Sequence, residues 1–267
     1  MIKNVRDAAL KKSNITVRDV IYLHLNEEED FIVSSGIEFY EFMNSLGDKV
    51  TNILLLKHRF EAGYFHMHSL FEYVPKEIQT VLIEDDVYGY GDFCWIDFNN
   101  EENLDDLSEL EISQLLYLGH KKMHLQRPFY KLLNNSFVYL AHDDGHRNKM
   151  YFKNLKDLDI LLRNCIPNKL SNLKVEKSFL GLRKQKEYPF IQPEIFPQLK
   201  NAMLEGIVIS LKDLVQSRTK IEVPIVVIGD YINMDDMMED YEQLDKEAWD
   251  YKLVLDKRTR VWSLHLV

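Results

Sequence analysis

The apolar stretches of this chain are short, Ile53 to Leu56 and Val223 to Gly229 among them, the second carrying Pro224 inside it. A helix that crosses a bilayer needs about 20 consecutive apolar residues, so no segment is expected to span one. Apolar runs this short are buried either as strands or as one face of a helix, and the two periods alternate along the sequence. The prediction is an α+β fold: a mostly antiparallel sheet with helices packed on it and a C-terminal β-hairpin.

The local signals place the elements. Val20 to Leu25 reads as a strand, and Ile37 to Leu46 as a short helix with Phe39, Phe42 and Met43 on one face and Gly47 as its stop. Thr51 to His58 reads as a buried strand. Gly91 to Phe98 is another, with Phe93, Trp95 and Asp97 on one side and Cys94, Ile96 and Phe98 on the other. Ser108 with Glu111 forms a capping box, succeeded by Ile112, Leu115, Leu116 and Gly119 at helical spacing; that helix ends before Pro128. Ser136 to Ala141 and Lys149 to Lys153 flank the polar turn His142-Asp143-Asp144-Gly145-His146, a hairpin pattern. Leu155 to Ile166 reads as a helix stopped by Pro167. Ser210 with Asp213 predicts a second capping box opening a helix towards Arg218. Lys220 to Ile228 is a strand whose Pro224 places it near an edge, and Lys252 to Val267 is a hairpin turning at Asp256 to Thr259.

Only 10 glycines and 7 prolines occur among 267 residues, and no stretch has linker composition. One domain over residues 1–267 is expected, with 165–190 the place where a subdivision would fall. The N-terminus, MIKNVRDAALKKSN, has charges but no apolar core of signal-peptide length. These readings point to a soluble cytoplasmic protein with no membrane partner.

Charge is strongly segregated. Residues 147–186 hold eleven Lys and Arg against three Asp and Glu, in a chain of net charge −10. Residues 230–250 hold nine acids against Lys246 alone. Such polarisation predicts an anion site or two surfaces that meet, as in a homodimer joining basic and acidic faces. The acidic balance argues against nucleic-acid binding by the whole surface. Within the basic run, Lys169, Lys174, Lys177, Arg183 and Lys184 alternate with apolar residues, the residue types that recognise phosphate or an acidic protein. The plainer reading is a solvated face, whose exposed ion pairs would each contribute only about 0–1 kcal/mol.

A second constellation is histidine. His120 and His124 are four apart on the capped helix, and His142 precedes Asp143 and Asp144 at the hairpin tip. Imidazole and carboxylate together suit a divalent metal, although the His120 to His124 spacing lacks the glutamate of a metalloprotease helix. Glu84-Asp85-Asp86 before Tyr88-Gly89-Tyr90-Gly91-Asp92 is a third candidate, with a solvated turn as its plainer reading. Asn233-Met234-Asp235-Asp236 reads as a helix start. Cys94 and Cys165 sit in apolar contexts and read as buried thiols. No P-loop or Gly-x-Ser-x-Gly elbow is present.

Four stretches carry a resemblance: Val87-Tyr88-Gly89-Tyr90-Gly91-Asp92-Phe93-Cys94-Trp95, Leu115-Leu116-Tyr117-Leu118-Gly119-His120, Tyr139-Leu140-Ala141-His142-Asp143-Asp144-Gly145, and Asn168-Lys169-Leu170 through Lys174 to Gly181-Leu182-Arg183. From about residue 50 onward the chain resembles a family of uncharacterised soluble proteins of spore-forming Gram-positive bacteria. Some members bear the label of oxalate:formate antiporters. A carrier of that kind needs several spanning helices, which this sequence does not encode. The resemblance implies a bacterial cytosolic protein and a single continuous unit; it implies no activity and no site residues.

The leading expectation is therefore a non-catalytic binding module that takes an anionic small molecule or an acidic protein through Lys169, Lys174, Lys177, Arg183 and Lys184, with no cofactor. The alternative is an enzyme, a divalent-metal hydrolase of a phosphorylated substrate, with His120, His124, His142, Asp143 and Asp144 as ligands.

Overall fold

The computed structural model describes residues 19–57, 60–84, 91–142, 145–173, 175–177, 183–185, 187–245 and 249–267. In chain order the strands are β1 (Val20–Asn26), β2 (Phe31–Ser35), β3 (Asn52–Lys57), β4 (Tyr64–Phe65), β5 (Glu72–Val74), β6 (Cys94–Phe98), β7 (Phe137–His142), β8 (Arg147–Phe152), β9 (Val175–Lys177), β10 (Arg183–Gln185), β11 (Ile207–Ser210), β12 (Val215–Gln216), β13 (Lys220–Val227), β14 (Tyr251–Asp256) and β15 (Val261–Leu266). The helices are α1 (Phe39–Leu46), α2 (Gln79–Glu84), α3 (Glu109–Lys121), α4 (Leu155–Leu173), α5 (Phe196–Glu205) and α6 (Met234–Gln243). The strands pair antiparallel, and the fold is α+β. Two compact units result, one of residues up to 25 with 34–37 and 159–267, the other of residues 26–33 and 38–158. No helix among the described residues is long and apolar enough to cross a membrane.

In the 26–33 and 38–158 unit the strand order is β2-β8-β7-β6-β3-β5-β4. Every residue of β6 is buried, so both faces of this sheet must be covered. Register places Trp95 opposite Tyr139 and Cys94 opposite Leu140, as the alternation in the sequence predicts. One face carries Trp95, Tyr139 and Phe137 and receives α1. Phe39 meets Trp95 edge-on at 4.6 Å between ring centroids, and Phe42 meets Phe137 at 4.8 Å. Each such aromatic pair adds about 0.5–1.5 kcal/mol beyond area burial. The other face carries Leu54, Cys94, Ile96, Val138 and Leu140 and packs under Leu115 and Leu118 of α3.

The sequence signals at the ends of α3 hold. Ser108 Oγ accepts from the Glu111 N–H, and the Glu111 carboxylate accepts from the Ser108 N–H at 3.0 Å. Leu116, placed on the apolar stripe by spacing, is exposed; Leu118 takes its place in the core. Gly119 is where helix meets strand: a Cβ there would stand 2.7 Å from the Leu56 carbonyl oxygen. Any side chain would push α3 off β3.

Asp97 lies on the α1 face and is 1% exposed. Its Oδ1 accepts from the Ser136 and Phe137 N–H groups, both at 2.8 Å. Burial pushes its carboxyl up to about 6, against the opposing pull of those backbone donors. Both are donors at the entry to β7, so this carboxylate holds the start of that strand.

In the other unit the order is β15-β14-β13-β11-β1, with β12 beside β13. Three expectations are corrected here. Pro224 does not mark an edge, because β13 is flanked on both sides. Ile225 O accepts from the Asp250 N–H on the β14 flank, so by alternation the Pro224 nitrogen faces the other flank. On that flank β12 pairs with residues 221 and 222 and β11 with residues 225–227. Proline thus falls in the gap between two ladders, where a missing N–H removes no pairing.

Second, Pro167 does not stop α4, which continues to Leu173. A proline at 167 cannot donate to the carbonyl of Arg163, one turn back. That carbonyl instead accepts from the Ile191 N–H at 3.2 Å, and Arg163 Nε donates to the Ile191 carbonyl at 2.5 Å. The 189–192 segment held in this way also receives Trp262: its indole N–H donates to Pro189 O at 2.8 Å and its backbone N–H to Gln192 Oε1 at 3.0 Å.

Third, Ser210 and Asp213 make one bond of a capping box, and a second between their side chains, without a helix. The Asp213 N–H donates to Ser210 Oγ at 3.0 Å, and Ser210 Oγ donates to Asp213 Oδ2 at 3.0 Å. The chain then turns into β12, because Leu214 to Gln216 offer no helical apolar stripe and Tyr241 of α6 donates to the same pair. By contrast Asn233 does cap α6, its side chain accepting from the Asp235 N–H at 2.9 Å. Strands β14 and β15 pair from Tyr251↔Leu266 to Asp256↔Val261.

Asp97 holds its proton to higher pH in the folded state than in the unfolded chain. Its stabilising contribution is therefore present below about pH 4 and lost as pH rises through about 6. Asp97→Asn keeps the acceptor and removes the titration, so urea unfolding across that window should show a flatter pH dependence than wild type, by on the order of 2–3 kcal/mol. Gly119→Ala should destabilise by about 1–3 kcal/mol in spite of alanine's better helix propensity, measured by the same denaturation.

Candidate functional site

The α3-covered face of the 26–33 and 38–158 unit changes character at one end. There β7 and β8 place His142 opposite Arg147 in register, and Asp92, just before β6, joins them through its ion pair with Lys122. Along β8, Arg147, Lys149 and Tyr151 share this face by the two-residue period of a strand. Lys122 closes the group from α3. It caps the helix in the left-handed conformation (φ 53°), an unusual one for lysine, with its N–H donating to Leu118 O.

Polar contacts knit these residues together. The Lys122 ammonium pairs with the Asp92 carboxylate and donates to His142 Nδ1 at 3.3 Å. The His142 imidazole is held down at about 4 by burial first, then by the charges of Lys122 and Arg147, with Asp92 opposing. It is a neutral acceptor at ordinary pH. Lys149 lies with Nζ 3.7 Å above the Phe31 ring and 4.9 Å from that of Tyr151. Burial lowers its affinity for a proton, Glu29 restores some of it, and Arg147 lowers it further. The Tyr151 ring also meets His124 edge-on at 5.3 Å, and its hydroxyl is driven up by burial.

Two polar atoms of this strand lack acceptors among the described residues. Arg147 Nε and Tyr151 Oη are both buried and make no hydrogen bond. A buried donor left unpaired costs about 1–3 kcal/mol, so a native structure seldom tolerates one without reason. Chemically the group offers a donor-rich, cationic edge, with an ammonium and a guanidinium next to a neutral imidazole.

The residues expected from sequence are distributed unevenly with respect to this cluster. His142 lies within it. His124 borders it, with Nε2 3.9 Å from a Glu29 carboxylate oxygen. His120 is exposed on the last turn of α3. Asp143 and Asp144 lie outside the described residues, as do Asp85, Asp86 and Lys174. Among the described residues no group of three or more His, Cys, Asp or Glu side chains is placed to hold a metal. Lys169 is only 5% exposed, and its charge opposes the upward shift that burial imposes on Asp19. Lys177 stands opposite Arg183 and Lys184 opposite Glu176 in the short β9–β10 ribbon. Cys94 and Cys165 are buried free thiols.

Lys122 lies outside the basic run of 147–186, and Arg147 and Lys149 lie within it without being set apart from its other cations. The last two are detectable in principle, since Arg147, Lys149 and Tyr151 alternate directly after a turn signal. Lys122 is not, because nothing in its neighbourhood announces a left-handed lysine. Comparison with protein-family models, curated proteins and solved structures finds no match for this chain.

The contact between Lys122 and His142 has a measurable consequence. Lys122→Gln removes the nearest cation, so the imidazole should titrate at higher pH than in wild type. An NMR titration of the His142 ring protons checks this; an unchanged midpoint would mean that burial alone holds the imidazole down.

Proposed function

We propose that the protein is a binding module for a small anion, taken up at the Arg147–Lys149 edge of β8, with Lys122, Asp92 and His142 fixing the geometry. The observation that carries this reading is the buried Arg147 Nε–H with no acceptor among the described residues, one strand pitch from a desolvated ammonium. A carboxylate or phosphate supplies acceptors only, and guanidinium recognises either by charge-assisted bonds. The recessed position of both donors favours a small anionic group over the face of an acidic protein. The family resemblance adds a bacterial cytosolic setting to this proposal and no chemistry.

This reading moves the anion site away from Lys169, Lys174, Lys177, Arg183 and Lys184, and the two locations separate experimentally. Titration with inorganic phosphate and pyrophosphate, monitored by calorimetry and thermal shift, should show saturable binding. Arg147→Gln and Lys149→Met should each weaken it about tenfold or more. Reversing Lys177, Arg183 and Lys184 together should leave it unchanged. Binding that survives the first two substitutions and vanishes with the reversal would place the site on the basic ribbon instead.

A further inference from the structure

A cavity of about 200 Å³ opens in the 26–33 and 38–158 unit, away from the cationic edge, between the end of α1, the β7 and β8 strands and the first turn of α4. Its walls combine apolar Leu46, Val50, Phe137 and Phe152 with the polar Ser136. Lys49 and Asp157 complete the lining, with Nζ and Oδ1 2.5 Å apart. Cavities of this kind are lined mainly by hydrophobic side chains, with a few polar groups that fix orientation. The volume corresponds to roughly seven waters, or a ligand of about nine non-hydrogen atoms.

The pairing of one ammonium and one carboxylate on an aliphatic and aromatic chamber defines a ligand class. We infer that this cavity is a site for a small zwitterion of the α-amino acid type with an aliphatic side chain. The ligand's ammonium goes to Asp157, its carboxylate to Lys49, and its side chain to Leu46, Val50, Phe137 and Phe152. The Lys49 side chain is 50% exposed and that of Asp157 17%, so the pair is partly screened by solvent, and the two new pairs made with the ligand offset its opening. A zwitterion replaces the one pair with two. An amine or an acid alone would open the same pair and leave one of its charges without a partner, which is the basis of selectivity.

L-leucine is the probe, with 3-methylbutylamine and 4-methylpentanoate as its single-charge analogues. In calorimetry and thermal shift on the full chain, leucine should bind saturably, and each analogue about tenfold more weakly or worse. Lys49→Met changes a half-exposed side chain and Asp157→Asn is nearly isosteric, so both should leave the circular dichroism spectrum as in wild type. Each should reduce leucine binding at least tenfold, and Lys49→Met should abolish the preference for leucine over the amine. Equal responses to leucine and both analogues would overturn the zwitterion assignment, since the ion pair would then play no part. No response to any of the three, with wild-type protein intact, would overturn the site itself. Phosphate binding at Arg147 is read separately, so failure of one proposal leaves the other standing.

Discussion

In the 26–33 and 38–158 unit, the constraint on which most else rests is the two-sided burial of β6. A strand exposed on one side needs one partner layer. A strand with Trp95 and Asp97 facing one way and Cys94, Ile96 and Phe98 the other needs two, and α1 and α3 supply them. That demand explains why Phe39 and Phe42 point at Trp95 and the β7 aromatics, and why α3 comes close enough to β3 that only glycine fits at 119. It also explains the unusual position of Asp97. A carboxylate in an apolar layer is costly, but here it pairs two backbone donors that would otherwise be orphaned where the chain enters β7.

Much of the fold is legible in the sequence because its signals are local. The Ser108–Glu111 box, the Asn233 cap and the pairing of β7 with β8 each depend on residues within a few positions, and each stands where sequence puts it. The departures share a cause. Pro167 and Pro224 carry penalties that are real locally but are absorbed by partners distant in sequence: Ile191 in one case, a gap between ladders in the other. Ser210 accepts the Asp213 N–H as a helix cap would, yet that bond does not make a helix without an apolar stripe behind it.

The candidate site is half legible for the same reason. Strand alternation puts Arg147 and Lys149 on one face, and a turn signal locates the strand. What makes them a site is Lys122 arriving from α3, and a tertiary approach of that kind has no signature in a linear count of charges. The charge run of residues 147–186 includes Arg147 and Lys149 but does not set them apart from its nine other cations, and it misses Lys122. A dense run of lysine is mostly solvation; two cations and an unpaired donor in a recess are chemistry.

The proline in α4 has a further consequence at the far side of its own unit. By freeing the Arg163 carbonyl it gives the 189–192 segment an anchor, and that segment in turn takes the backbone N–H of Trp262. Strand β15 ends its sheet, and Val267 N–H turns inward to Asp250 O, so alternation turns the Trp262 N–H outward. An outward row of free donors and acceptors is a template on which another chain can grow. Here the row is interrupted at Trp262 by a glutamine side chain. A helix-breaking residue thus helps keep a sheet margin from recruiting neighbours.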